Sequence, residues 1–78
     1  MMTRPEERMS EIAKRVRAAR DNRAWSQNDL AERASVSRPS IARIEAGEDV
    51  STATLSKVAD ALDLVLRLAT AEESTEHE

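Results

Sequence analysis

Residues 25–48 read WSQNDLAERASVSRPSIARIEAGE and contain two short amphipathic segments that a polar break separates. Ser26 precedes the first segment, and Asp29 follows at the spacing of a capping box, which predicts a helix start. Leu30 opens an apolar stripe at helical spacing. The serines within residues 35–37 compete for backbone amides and therefore predict a tight turn. The pattern thus predicts a helix, a short turn and a second helix.

The second helix of this stretch is predicted to begin at Ser37 or Arg38. Pro39 falls in its first turn, where proline removes only an amide that has no intrahelical partner. Gly47 can end the helix in a left-handed conformation. The two isoleucines of the segment share one face and are expected to point inward. The residues left on the outer side are Arg38, Pro39, Ser40 and Arg43.

Helices are predicted on both sides of this stretch as well. Apolar residues at helical spacing predict a first helix from about Ser10 to Asn22, after a loose N-terminal arm over residues 1–8. Ser51 is the expected cap of a fourth helix. That helix is expected to end at Asp63, because aspartate tolerates the left-handed conformation better than most residues.

The composition favours the same fold class. The chain has 78 residues, with a single tryptophan as its only aromatic residue and a single glycine. Alanine, leucine, glutamate and arginine favour helices over strands. We therefore expect one compact, all-α domain of four helices over residues 9–63. A chain this short can bury only a modest core, which favours association with a second subunit.

Charge is divided unevenly along the chain, whose net charge is -3. Residues 1–47 carry ten Lys and Arg against seven Asp and Glu, a net charge of +3. Residues 48–78 carry two against eight, a net charge of -6. A mildly basic first part is compatible with nucleic-acid binding but does not by itself indicate it.

Several classes of function find no support in the sequence. The absence of cysteine excludes disulfides and thiolate metal sites, and no apolar run reaches the length of a membrane span or a signal peptide. His77 is the only histidine, and one glycine cannot form a phosphate-binding loop. We expect a cytoplasmic, nucleoid-associated protein that is not an enzyme and has no metal, no cofactor and no membrane partner.

The C-terminal segment is ambiguous. Residues 64–70 read LVLRLAT, in which the leucines alternate as in a strand, although a continuing helix fits the apolar pattern equally well. Residues 71–78 are acidic and lack an apolar face, so we expect a disordered tail there.

The helix-turn-helix pattern resembles the lambda-repressor-like (XRE) family of DNA-binding domains over about residues 10–63. The most specific matches are Ser26-Gln27, Leu30-Ala31, Val36-Ser37, Ser40-Ile41 and Ile44-Glu45 followed by Gly47. In this family the second helix of the motif enters the major groove of DNA. The resemblance therefore implies double-stranded DNA as the partner.

The resemblance also assigns roles to individual residues. The recognition-helix positions that face base edges correspond to Arg38, Pro39, Ser40 and Arg43. Ser26 and Gln27 fall where the preceding helix contacts phosphate. An arginine can form two hydrogen bonds with guanine, a pairing worth roughly 1 to 3 kcal/mol of discrimination against other bases.

Family members pair an arginine of the first helix with a glutamate near the end of the recognition helix. Arg20 and Glu45 occupy those positions here and are expected to form a structural clamp. Two positions depart from the family pattern. Glu48 and Asp49 stand where many relatives carry basic residues, which argues against DNA contact from that loop, and Asp63 replaces the glycine expected after the fourth helix.

Residues ALDLVLRLAT are similar to the C-terminal segment of HipB-type antitoxins and related small repressors, in which a strand pairs with its copy in a second subunit. Such pairing would satisfy the backbone groups of an otherwise isolated strand. We therefore predict a dimerisation strand over residues 64–70. The expected interface residues are Leu64, Val65, Leu66 and Leu68.

These observations predict a homodimeric, sequence-specific transcriptional repressor that reads an inverted-repeat operator. One alternative is an antitoxin that binds a cognate toxin and regulates its own promoter, which the small size and the C-terminal segment favour. Another is a protein-interaction adaptor that has lost DNA binding, an alternative to which the acidic Glu48-Asp49 loop gives some support.

Overall fold

The computed structural model describes residues 5–65, and these residues form four helices and no strand. The helices are α1 (Pro5–Asn22), α2 (Gln27–Ala34), α3 (Arg38–Glu45) and α4 (Thr52–Ala61). The all-α class and the four-helix arrangement are therefore confirmed.

Serine side chains begin three of the four helices. Ser26, Ser37 and Ser51 precede α2, α3 and α4, and each side-chain oxygen accepts a hydrogen bond from the backbone amide three residues later. This bond satisfies one of the amides that have no partner within the helix. The starts of α2, α3 and α4 thus follow from local sequence.

All four helices end in the same way, although the chain has only one glycine. Ala24, Ser35, Gly47 and Asp63 have φ angles of 57°, 59°, 81° and 56°. In each case the amide of the next residue donates to a carbonyl five positions earlier, as Leu64 does to Ala59 at 2.8 Å. This geometry is the Schellman motif. The expected left-handed residues at Gly47 and Asp63 are confirmed.

The core lies where the four helices meet. α3 packs against both α1 and α2, and α4 packs against α2. The largest fully buried side chains are Leu30, Ile41, Ile44, Leu62 and Val58. Because its two isoleucines are completely buried, α3 is fixed to the domain along one face, and its opposite face is left for solvent.

The start of α1 differs from the prediction. The helix begins at Pro5 rather than near Ser10, so residues 5–8 of the expected arm are helical. Proline is well suited to a first helical position, because the amide it lacks would have no intrahelical partner. The longer helix also places Met9, which is 9% exposed, on the same buried stripe as Ala13. Residues 1–4 lie outside the described residues.

The C-terminal end of the described chain is neither helix nor strand. Leu64 is half-buried against the core, whereas the side chain of Val65 is 86% exposed. The rest of the predicted dimerisation strand, with Leu66 and Leu68, and the predicted tail over residues 71–78 lie outside the described residues. Among the described helices, none combines the length and apolarity that crossing a membrane requires.

Candidate nucleic-acid interface

Helices α2 and α3 are joined by a turn of three residues. Ser35 takes the left-handed conformation, and the amide of Val36 donates to the carbonyl of Ala31 at 3.0 Å. Val36 packs partly against the core, and Ser37 then caps α3. The turn is therefore held by its own hydrogen bonds and by burial, which fixes the direction of α3 relative to α2.

The side of α3 turned away from the core, here called the outer face, is formed by Arg38, Pro39, Ala42, Arg43 and Ala46. Ala42 is half-buried and the other four are exposed. Within this face the long hydrogen-bond donors are the two arginines, and the remaining side chains are small and apolar. A surface of this shape and chemistry can enter a groove and offer guanidinium groups to acceptors there.

A buried ion pair, here called the inner pair, joins α1 to α3. Arg20 Nε lies 2.7 Å from Glu45 Oε2, and its Nη2 donates to Oε1 at 3.0 Å. The side chains are 15% and 5% exposed. The hydrogen bonds to Glu45 raise the pKa of Arg20 above its ordinary value. The pair thus fixes the last turn of α3 against α1 with two parallel hydrogen bonds.

Two further residues complete the polar contacts of Glu45. Gln27 Nε2 donates to Glu45 Oε1 at 3.1 Å, which connects the start of α2 to the end of α3. Arg17 donates to the backbone carbonyl of Glu45. Arg20 also donates to the carbonyl of Trp25 at 2.8 Å. Glu45 is therefore held from α1 and α2 together, and every hydrogen-bonding atom of its carboxylate has a partner.

An exposed ion pair, here called the outer pair, lies at the other side of α3. Arg43 Nε lies 3.6 Å from Glu48 Oε1, and Arg43 Nη2 donates to the carbonyl of Asp49 at 3.4 Å. The Arg43 and Glu48 side chains are 60% and 59% exposed. Arg43, one of the four residues expected to contact bases, is thus held loosely by the acidic loop that follows α3.

The other predicted base-contacting residues have different surroundings. Arg38 is exposed and makes no side-chain hydrogen bond or ion pair with another described residue. Pro39 is exposed and has no donor. Ser40 is half-buried, and its hydroxyl lies 2.9 Å from the Ser37 hydroxyl, so it forms part of the cap of α3.

Comparison with known protein families identifies the family of this domain. A family model described as helix-turn-helix matches residues 16–66, which is most of the described domain. The chain belongs to the lambda-repressor-like (XRE) helix-turn-helix family. This is a family of DNA-binding transcription regulators and is not typically enzymatic. The search of curated proteins gives no match to the chain.

The positions that the family uses for phosphate lie at the start of α2. The hydroxyl of Ser26 accepts from the Asp29 amide at 2.9 Å, and Asp29 accepts from the Ser26 amide at 2.8 Å. These hydrogen bonds lower the pKa of Asp29. Gln27 follows directly, with its side chain on Glu45. The capping box thus orders the start of α2, and the phosphate contacts of Ser26 and Gln27 stay a prediction.

Trp25 lies beside this helix start and between two arginines. The guanidinium carbons of Arg33 and Arg23 are 4.4 Å and 5.5 Å from the centre of its ring. Arg23 also donates to the carbonyl of Leu62 at 2.9 Å. Trp25 therefore packs partly against the core, between Arg33 of α2 and Arg23 just after α1.

Some contacts of this helix-turn-helix domain are not predicted by its sequence. Gln27 and Arg17 are 18 and 28 positions from Glu45, and no periodic signal connects them to it. The pairing of Arg43 with Glu48, by contrast, has a signal in the sequence, namely the glycine at position 47. A Schellman motif at Gly47 returns the following residue to the helix end, where the Glu48 amide donates to the Arg43 carbonyl at 2.9 Å.

An apolar cleft lies on the side of the domain that α1 and α4 share. Its walls are Ile12, Arg15, Val16, Leu55 and Ala59, with Leu64 and Val65 at the end of the described chain. Within the described residues no cluster of acidic, histidine or cysteine side chains could hold a metal ion. The DNA-facing candidates and the apolar cleft are therefore separate features of this domain.

Proposed function

We propose that this protein is a homodimeric, sequence-specific transcriptional repressor that reads an inverted-repeat operator through α3. The observation that carries the proposal is the outer face of α3, where Arg38 and Arg43 are exposed on a helix that the inner pair and two buried isoleucines hold in place. A rigid helix lets the same guanidinium groups meet the same base edges in every complex.

Base recognition would rest on the two arginines. Each guanidinium can donate two hydrogen bonds to the O6 and N7 atoms of guanine, and Pro39 and Ala42 offer apolar contact to a thymine methyl group. Ser40 would contribute through its hydroxyl where the Ser37 hydroxyl leaves a lone pair available.

Phosphate contacts would hold α3 in register. The Ser26 amide already donates to Asp29, so the contacts would come from the Ser26 hydroxyl and the Gln27 amide, since a helix N-terminus favours an anion. These contacts do not depend on sequence, but they set the depth and orientation of α3 in the groove.

Dimerisation supplies the second half-site. Helix α3 has eight residues and is about 12 Å long, so one copy spans few base pairs. Two copies related by a two-fold axis would place their recognition helices about one DNA turn apart, roughly 34 Å. Support for a second subunit comes from the exposed Val65 at the end of the apolar cleft. We propose that Leu64, Val65, Leu66 and Leu68 form the interface by strand pairing.

The DNA-binding proposal is tested by selecting bound fragments from a random duplex pool with the full chain. We expect a selected sequence with two-fold symmetry and half-sites one helical turn apart. Binding to it should weaken with salt, by about 0.9 log units per log unit of salt for each phosphate contacted. An enriched pool without symmetry would contradict the dimeric arrangement, and an absence of enrichment would favour the adaptor alternative.

The role of Arg43 is tested with a charge-matched pair of variants. Arg43→Ala should weaken binding to the selected site roughly 5- to 150-fold and binding to random duplex far less, because a lost bidentate pair affects the correct base. Lys14→Ala removes the same charge from the exposed side of α1 and should affect both duplexes slightly and equally. Equal losses on both duplexes with Arg43→Ala would assign Arg43 to phosphate contact instead.

The proposed dimer interface is tested at Val65, whose exposure makes a charged replacement harmless to the single domain. Val65→Glu should dissociate the subunits in sedimentation experiments and weaken operator binding together. Ala18→Glu, on the exposed side of α1, is the matched control and should leave the dimer intact. A full-strength dimer with Val65→Glu would show that the interface lies elsewhere.

An antitoxin that also regulates its own promoter is the second candidate. The same exposed Val65 and apolar cleft favour it, because a cognate toxin would cover that surface outside the DNA-binding face. Co-purification of a toxin whose binding is lost in Val65→Glu but kept in Arg43→Ala would support this candidate. In either case we place the protein on the nucleoid in the cytoplasm, where its DNA lies.

A further inference from the structure

The loop after α3 brings a carboxylate to the side chain proposed to read DNA. Gly47 has a φ of 81°, which reverses the chain at the end of α3. The Glu48 amide then donates to the Arg43 carbonyl, and the Glu48 carboxylate lies 3.6 Å from Arg43 Nε. The carbonyl of Asp49 accepts a second, longer hydrogen bond from the same guanidinium.

The two arginines of the outer face therefore differ before any DNA binds. Arg43 begins from an ion pair with Glu48, whereas Arg38 makes no such pair within residues 5–65. Arg43 must exchange a carboxylate for a base edge, and Arg38 exchanges only water. Contact with a base therefore costs Arg43 an ion pair, whereas it costs Arg38 only bound water.

We infer that Glu48 sets how strictly Arg43 discriminates between DNA sequences. This inference rests on the proposed DNA-binding function. An exposed ion pair shifts an equilibrium by less than about fivefold, so a guanine that accepts two hydrogen bonds displaces Glu48. At a wrong base Arg43 gains no such replacement and stays with Glu48. The cost of breaking the pair therefore falls only on the cognate complex.

The consequence is a selective cost to the cognate complex. Glu48 lowers affinity for every duplex through repulsion, and at the cognate site it also costs the energy of the pair that Arg43 gives up. Like charges brought together at an interface oppose binding and change its salt dependence. Glu48 is accordingly a positioning residue that acts through Arg43 and does not itself need to touch a base.

The test compares Glu48→Gln with Glu11→Gln in the full-length protein. Both variants remove one exposed negative charge with the same change of side chain, but Glu11 lies on α1 and forms no ion pair with Arg43. Affinity is measured by fluorescence anisotropy for the selected duplex and for a scrambled duplex of equal length. Thermal unfolding of each variant checks that the fold is unchanged.

We expect Glu48→Gln to raise affinity for the scrambled duplex by less than about twofold and for the selected duplex by a further factor of up to about fivefold, because only the selected complex breaks the outer pair. The ratio of the two affinities should therefore rise. Glu11→Gln should raise both affinities by the same small factor. In the Arg43→Ala background, Glu48→Gln should change both affinities equally, because the side chain through which it acts is missing.

The outcomes separate this inference from the proposed function. Wild-type protein that binds no duplex overturns DNA binding itself, and the role of Glu48 with it. Wild-type binding together with an equal effect of Glu48→Gln on both duplexes overturns only the role of Glu48 and leaves a general charge effect. A selective effect that persists in the Arg43→Ala background also overturns it, because Glu48 would then act without Arg43.

Discussion

Two arginine–glutamate pairs involve helix α3, and they differ in almost everything except their chemistry. The inner pair, Arg20–Glu45, is 15% and 5% exposed and has two short hydrogen bonds. The outer pair, Arg43–Glu48, is 60% and 59% exposed and has a single separation of 3.6 Å. A buried pair resists exchange because breaking it leaves an uncompensated charge, whereas an exposed pair can change partners at little cost.

The difference suits the two sides of a recognition helix. Its core side must hold one orientation, and its outer side must release side chains to a ligand. A single helix of eight residues thus carries a permanent ion pair on its core side and an exchangeable ion pair beside its outer face.

The largest expected loss of stability comes from removing the charge of Glu45 in the inner pair. Glu45→Gln keeps the shape of the side chain but leaves Arg20 without its anionic partner, so we expect the free energy of unfolding to fall by about 3 kcal/mol. The melting temperature should then fall by roughly 15 °C for a domain of this size. Circular dichroism during heating measures both.

Glu48→Gln is the matched control for that experiment. The same substitution in the outer pair should lower the free energy of unfolding by less than about 0.5 kcal/mol, because exposed pairs contribute little. Equal losses of unfolding free energy in the two variants would show that the inner and outer pairs do not differ in their contribution to stability.

Intermediate changes in the free energy of unfolding are expected from substitutions in the turns that position the two pairs. Gly47→Ala should destabilise the domain by about 1 kcal/mol, since Gly47 has a φ of 81° and alanine is strained there. Space is not the cause, because an added Cβ atom would lie 3.9 Å from the Cα atom of Ser10, an ordinary contact. Chemical denaturation with urea gives the difference.

The reverse substitution, from alanine to glycine, tests the turn beside the inner pair. Ala24 has a φ of 57° in the turn that presents the Trp25 carbonyl to Arg20. Ala24→Gly removes the strain of a left-handed alanine and should stabilise the domain by about 1 kcal/mol. Destabilisation by this variant would show that the turn is held in another conformation in solution.

The smallest effect concerns a carboxylate that is exposed like Glu48 but bonded to backbone. Hydrogen bonds from Ser26 lower the pKa of Asp29 below its ordinary value of 3.8. The stability from this cap is therefore fully present above that ordinary value and is lost as the pH falls through the lowered pKa of the folded state. Asp29→Asn should flatten the acid side of the stability profile, which unfolding at a series of pH values measures.

Local sequence predicted most of the fold. The serine caps of α2, α3 and α4, and the left-handed Asp63, follow from side chains within a few residues of each helix end. The start of α1 could not be placed in the same way. Its polar first residues are compatible with either a helix or an arm, and Pro5, which suits a first helical position, also suits a loose arm.

The candidate site was less predictable, because its contacts join distant parts of the chain. Resemblance to the family suggested the partnership of Arg20 with Glu45, which lie 25 positions apart and do make direct contact. Nothing in the sequence indicated that Gln27 shares that carboxylate. Glu48 was recognised as a departure from the family, but its contact with Arg43 depends on how the chain reverses at Gly47.

The central claim is that Arg43 reads a base, and single-base substitution in the selected operator tests it most directly. Dissociation constants are measured for wild type and Arg43→Ala against the operator and against each duplex with one base pair exchanged symmetrically in both half-sites. We predict that wild type discriminates roughly 5- to 150-fold at one guanine position per half-site, and that Arg43→Ala loses discrimination there while keeping it elsewhere. A variant that binds every duplex more weakly by one common factor would contradict the claim.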